Sequence, residues 1–170
     1  MGRSHDRVSS FAPPPGNNPI SMIEEYAIDQ EWNSERTNEN ELWAEIPSQW
    51  GNQRLWAAFH EDMGFLQVNC YLNIKIPPRF VKEVAHTITL INERIWLGHF
   101  EIWGEEQSPV FRVVVPLRGS ELTVEQMEDI IAAVYQEMER FFPTFQWVIW
   151  GGKKPDDAVA ATIVETEGEA

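Results

Sequence analysis

Residues 66–75 read LQVNCYLNIK, and their alternation limits what this chain can fold into. Leu66, Val68, Cys70, Leu72 and Ile74 share one phase, and Gln67, Asn69, Tyr71, Asn73 and Lys75 share the other. Period two is the pattern of a strand with one face in the core and a different environment on the other. Two earlier segments repeat it: Leu42, Ala44 and Ile46 alternate with Trp43 and Glu45, and Leu55, Ala57 and Phe59 with Arg54, Trp56 and His60. Turn residues separate the three, WGN at 50–52 and EDMG at 61–64, so an antiparallel meander is expected. Pro77-Pro78 ends the third strand. Later, Phe100 and Ile102 alternate with His99, Glu101 and Trp103, and Phe111, Val113, Val115 and Leu117 with Val110, Arg112 and Val114. EEQSP joins these two strands as a hairpin loop.

Helical spacing fills the gaps. Asn18-Pro19 is a cap followed by proline at the first helical position, and Met22, Ile23, Tyr26 and Ala27 then recur until about Trp32. Asn33-Ser34 reads as a turn. Phe80, Val84, Ile88, Ile91 and Ile95 make a stripe over about 79–96. Gly98 is placed for a left-handed cap between that helix and the strand HFEIW. Thr123 and Gln126 form a capping-box pair for a helix that Pro143 breaks or kinks. One or two more helical turns reach Gly151-Gly152, and a last short helix starts after Pro155. The expected order is α-βββ-α-ββ-α plus C-terminal helices: an α+β, two-layer domain with a five-stranded antiparallel sheet and helices on one face. Residues 1–18, ending SSFAPPPGNN, read as a disordered arm, 19–152 as the domain, and 153–170 as a helical appendage and a frayed tail.

A chain of 170 residues with 43% hydrophobic residues has room for one real core. A formal charge of −14 repels phosphate backbones and anionic membrane surfaces, so nucleic acid and membranes are not expected partners, and basic ones are favoured. The same charge is also read as nothing more than a solvated surface. One cysteine, no secretory signal and no membrane-length apolar run suit a soluble, cytoplasmic protein.

Catalytic signatures fail. No glycine-rich phosphate loop is present, and WGGKKP has its glycines and lysines in the wrong order. Cys70 lies on the apolar phase of its strand, as a buried structural thiol does. Four scattered histidines give no zinc spacing, and no metal, cofactor or catalytic residue is expected. The other phase of the sheet carries Trp43, Arg54, Trp56, His60, Tyr71, His99, Glu101, Trp103 and Arg112. Aromatic side chains mixed with arginine are enriched where proteins bind partners. Two readings stand: an open interaction face, or a face over which the C-terminal segment with Phe145, Trp147 and Trp150 folds.

Three stretches also resemble a known family. NPISMIEEYAIDQEW, INERIWLGHFEIWGEE and FFPTFQWVIWGGKKPDDAVAATIVETEGEA are similar to the YbjN family of bacterial candidate sensory transduction regulators, nearest its alphaproteobacterial members. The resemblance covers about residues 19–170. It implies a fold like type III secretion chaperones, which are small acidic proteins, often homodimers, that bind extended segments of other proteins. It implies no enzymatic activity, metal or cofactor. The signature positions that transfer are Asn92, Glu93, Trp96, Gly98, His99, Phe100, Pro143, Phe145, Trp150, Gly151 and Gly152. The functional expectation is a non-enzymatic, chaperone-like or regulatory interaction module, a homodimer whose client is a protein, favoured if basic or extended. A small-molecule sensor is the alternative, followed by an enzyme using His99, Glu101 and His60.

Overall fold

The computed structural model describes residues 18–168. The expected disordered arm lies outside them except for Asn18. That residue caps α1 (Pro19–Asp29), its side-chain oxygen accepting from the Ile20 N–H at 2.8 Å. The helix stops at Asp29, short of Trp32, where Glu31 turns the chain with φ of 57°. The N–H of Trp32 donates back to Ala27, and its ring meets Tyr26 edge-on at 5.7 Å.

The sheet has six strands, not five. They are β1 (Ser34–Asn38), β2 (Glu41–Ile46), β3 (Gln53–His60), β4 (Phe65–Tyr71), β5 (His99–Trp103) and β6 (Ser108–Pro116), all antiparallel, in the order β1-β2-β3-β4-β6-β5. The extra strand is SERTN, of which only Ser34 had an expected place, in an Asn33-Ser34 turn. Its residues are polar and none is fully buried, so it carries no alternation to read. Backbone pairing to β2 holds it at the sheet edge, and Arg36 on it reaches Glu24 of α1 at 2.8 Å.

A 3-10 turn at Pro78–Phe80 leads into α2 (Val81–Asn92), which is shorter than the expected 79–96. Its side chains Val84, Ile88 and Ile91 are buried, while Phe80 and Ile95 pack at the margin. Asn92 ends this helix and fastens it to β5: its side chain donates to the Phe100 carbonyl at 3.0 Å and accepts from the Phe100 N–H at 2.8 Å. Gly98 sits between them with φ of 81°, and a Cβ there would lie 2.7 Å from the Arg112 carbonyl oxygen and from the Phe111 ring. Glycine is therefore required twice over, by backbone conformation and by space.

Helix α3 (Val124–Ile149) starts at the Thr123–Gln126 capping box, present in both directions, and runs through Pro143 without ending. The proline lacks only one backbone donor, and the ring-rich face around it is buried on both sides: Phe141, Phe142 and Phe145 are all in the core. Helix α4 (Pro155–Gly168) extends beyond a short turn, and Ala158 and Val159 place it in the same core against α2 and α3. The sheet's aliphatic phase (Leu42, Leu55, Leu66, Val68, Cys70, Phe100, Phe111, Val113) faces α1, α2 and α3, with α4 packed on α2 and α3. No helix of the described residues is long and apolar enough to cross a membrane.

Candidate functional site

With the helices gathered on the aliphatic side, the other phase of every strand lies on the opposite face. Strand register turns sequence-distant residues into rows. One row runs Glu35, Trp43, Trp56, Asn69, Arg112, His99 across all six strands. The next runs Glu45, Arg54, Tyr71, Val110, Glu101, and Trp103 pairs with Ser108 beyond it. Phe145 is buried against Phe100 on the helix side, and Trp150 is exposed at the end of α3. The C-terminal segment therefore does not cover the aromatic face.

The rings form one connected group. Trp43 meets Trp56 at 6.4 Å and Tyr71 at 5.6 Å, and Tyr71 meets Trp103 edge-on at 5.9 Å. Arg54 lies over Trp43 and Tyr71, 5.1 and 5.6 Å from the ring centroids, while its Nη2 bonds both carboxylate oxygens of Glu106 at 2.8 and 2.9 Å. Both side chains of that ion pair are about half exposed, so water screens it and it contributes at most ~1 kcal/mol. Its main effect is to hold the guanidinium over the rings. The Trp56 indole N–H donates to Glu41 at 3.0 Å.

Two polar systems border the rings. Glu101 accepts from Arg112 at 2.8 Å and stands 3.5 Å from His99. Along β4, His60 bonds Gln67 at 3.2 Å, Gln67 donates to Asn69 at 3.2 Å, and Asn69 donates to the Tyr71 hydroxyl oxygen at 3.3 Å. Asn69 is fully buried, so this chain fixes the orientation of Tyr71 from below. A groove of about 540 Å³ opens at the end of the face, lined by Glu45, Arg54, Tyr71, Lys75, Glu106 and Ser108 among others. The Ser108 hydroxyl is buried there without a hydrogen-bond partner.

All nine residues expected on this face are on it. His60 is nevertheless three strands away from His99 and Glu101, with β4 and β6 between, so the three do not converge as an acid–base centre. Cys70 points into the core, and burial pushes its thiol up to about 12. Among the described residues no group of three or more His, Cys, Asp or Glu side chains is gathered as a metal site. Sequence reasoning did not pair Glu41 with Trp56, and it did not find the Gln67–Asn69 link. Both of those amides share the phase of Tyr71 in β4, which was the available signal.

The signature positions divide differently. Asn92, Gly98 and Phe100 build the helix-to-strand connection. Gly151 approaches Trp147, where a Cβ would lie 2.9 Å from its carbonyl oxygen, and Gly152 turns the chain with φ of 66°. Trp96 is wholly exposed and Glu93 largely so, its carboxylate 3.8 Å from Arg94. Nothing in the structure explains their identity.

A six-stranded antiparallel sheet covered by helices on one side and bearing an aromatic, ion-paired face on the other defines a two-layer α+β protein. Residues 19–147 match the family model of YbjN, described as "Putative bacterial sensory transduction regulator", and the chain belongs to that family. The crystal structure of YbjN from E. coli has a similar fold, with a TM-score of 0.51 at 10% identity over 74% of this chain and 87% of that one. No curated protein matches the sequence.

Proposed function

We propose that this protein is a non-enzymatic regulatory protein that acts by binding an extended, basic segment of another protein on the aromatic face of its sheet. The observation that carries the reading is the ring group Trp43–Trp56–Tyr71–Trp103, with Arg54 laid on it and no helix of the described residues over it. Large aromatic and arginine side chains contribute most of the energy where proteins meet, because they displace much water at little entropic cost. The carboxylates around the rings, Glu35, Glu41, Glu45 and Glu101, suit lysine and arginine. Among the described residues β1 is an outer strand whose edge offers backbone groups to an added strand, whereas at β5 the Asn92 side chain already holds the outward N–H and carbonyl of Phe100. The chaperone-like mode and the homodimer belong to this proposal, and so does a cytoplasmic location, which the single buried thiol fits.

Matched basic and acidic peptides, titrated against the protein by tryptophan fluorescence, test it. The basic peptide should bind at least tenfold tighter, with affinity falling as salt is raised. Equal binding of both would sink the charge argument. A small-molecule sensor is the second reading, favoured by the groove beside Arg54 and Lys75 with its unpartnered Ser108 hydroxyl. A ligand retained through purification and seen by native mass spectrometry would bring it forward, and the same spectrum reports the dimer.

A further inference from the structure

We infer that a cavity between α1 and α3, on the helix side of the sheet, binds a methylated ammonium group of the choline type carried by a free small molecule. The inference goes beyond the reading of the aromatic sheet face and does not depend on it. The cavity measures about 360 Å³. Tyr26 lines it from α1, Trp32 from the turn that follows, and Tyr135 from α3. Its aliphatic wall includes Ile46 and Ile131, both buried. Tyr26 and Trp32 belong to the first of the three stretches that carry the family resemblance, and the sheet face makes no use of either.

The turn after α1 builds the first wall. Glu31 takes a φ of 57°, the Trp32 N–H donates to the Ala27 carbonyl at 2.8 Å, and the Trp32 ring meets Tyr26 edge-on at 5.7 Å. These two rings are therefore set by the fold itself. Among the described residues no charged side chain lines the cavity, and its polar side chains besides the tyrosines are the neutral amides of Gln30 and Gln136. Carboxylates stand around it instead. Burial first, then Glu128 and Asp29, pushes the Tyr26 hydroxyl above its ordinary value, and burial first, then Glu139, does the same for Tyr135. Both rings thus stay neutral in a negative field. Helix α1 also ends here, at Asp29, with no basic residue in its last turn, so the negative end of its dipole lies beside the rings.

Ring faces backed by carboxylates attract a cation without offering it a strong hydrogen bond. A primary ammonium is strongly hydrated and would give up its water for little in return. A quaternary ammonium has no N–H to satisfy, and aromatic walls are what hold it best. A phosphocholine head group would bring its phosphate among the same carboxylates, so the cation is expected on a free molecule rather than on a lipid.

Choline and ethanolamine differ only in the methyl groups on nitrogen, and they test this when titrated at constant ionic strength into the full chain with its indole nitrogens isotopically labelled. The Trp32 signal, identified by its loss in Trp32→Phe, should shift saturably with choline, and ethanolamine should bind about tenfold more weakly. The signals of Trp43, Trp56 and Trp103 should stay in place. Tyr135 is 39% exposed, so Tyr135→Ala should leave the protein folded while weakening choline binding about tenfold. Equal affinity for the two amines, no saturable shift at Trp32, or unchanged binding in Tyr135→Ala would each overturn the inference. So would a choline response at Trp43 or Trp56, which would move the cation to the sheet face, and so would retention on phosphatidylcholine vesicles without any response to choline, which would assign the group to a lipid.

Discussion

The two faces of the sheet are built from the same strands, yet they obey different rules. On the helix side Phe100 touches Phe111, Phe141 and Phe145, at 4.9, 6.0 and 5.4 Å between ring centroids, and is 1% exposed. On the other side Trp43 and Trp56 meet at a similar 6.4 Å but remain partly open to solvent, and their polar neighbours are ion-paired rather than absent. A ring in the first setting is held from every direction, and its removal leaves a cavity. A ring in the second is held from below and from its sides, so its upper surface still has contact energy to give. The difference separates residues kept for stability from residues available for binding, even where both are tryptophan or phenylalanine.

Mutations can break or sharpen that contrast. The largest effect is expected for Phe100→Ala, which should cost about 3–5 kcal/mol in urea unfolding because three packed rings cannot close over the gap. Gly98→Ala comes next. The left-handed backbone alone costs about 1–2 kcal/mol, and the Cβ contact with the Arg112 carbonyl adds to it, so the melting temperature should fall without any change to the aromatic face. Arg54→Ala should change stability by less than ~1 kcal/mol, since its ion pair is solvated, while weakening peptide binding if the guanidinium orders the rings. The response to pH is a separate check, confined to alkaline solution. Burial raises the Cys70 thiol to about 12, so its contribution is complete below the free thiol's range and is lost as pH rises toward 12. Unfolding followed between pH 8 and 11 should show that decline, and Cys70→Ala should make it shallower, the remainder coming from Tyr26 and Tyr135, which burial also raises.

Both faces were legible in the alternation of β2, β3 and β4, because the inward residues are aliphatic and the outward ones are not. The capping residues Asn18, Thr123 and Gln126 were legible for a similar reason, as local chemistry announces a helix start. β1 was not, since an exposed edge strand of polar residues needs no pattern and gains its structure from a neighbour. Pro143 does not break α3, because packing on both sides of it carries the helix through. The contacts of the face were least visible of all. Arg54 and Glu106 are 52 residues apart. Their meeting depends on a hairpin and on the register of β3, β4 and β6, which no local spacing encodes.

The double variant Trp43→Ala/Trp103→Ala, with unfolding and basic-peptide binding measured on the same preparation, tests the central claim most directly. Partly solvated rings should cost about 1–3 kcal/mol together, leave a cooperatively folded protein, and reduce peptide binding at least tenfold. A loss of stability as large as that of Phe100→Ala, or a folded variant that binds the peptide unchanged, would contradict it and make the aromatic face a second core.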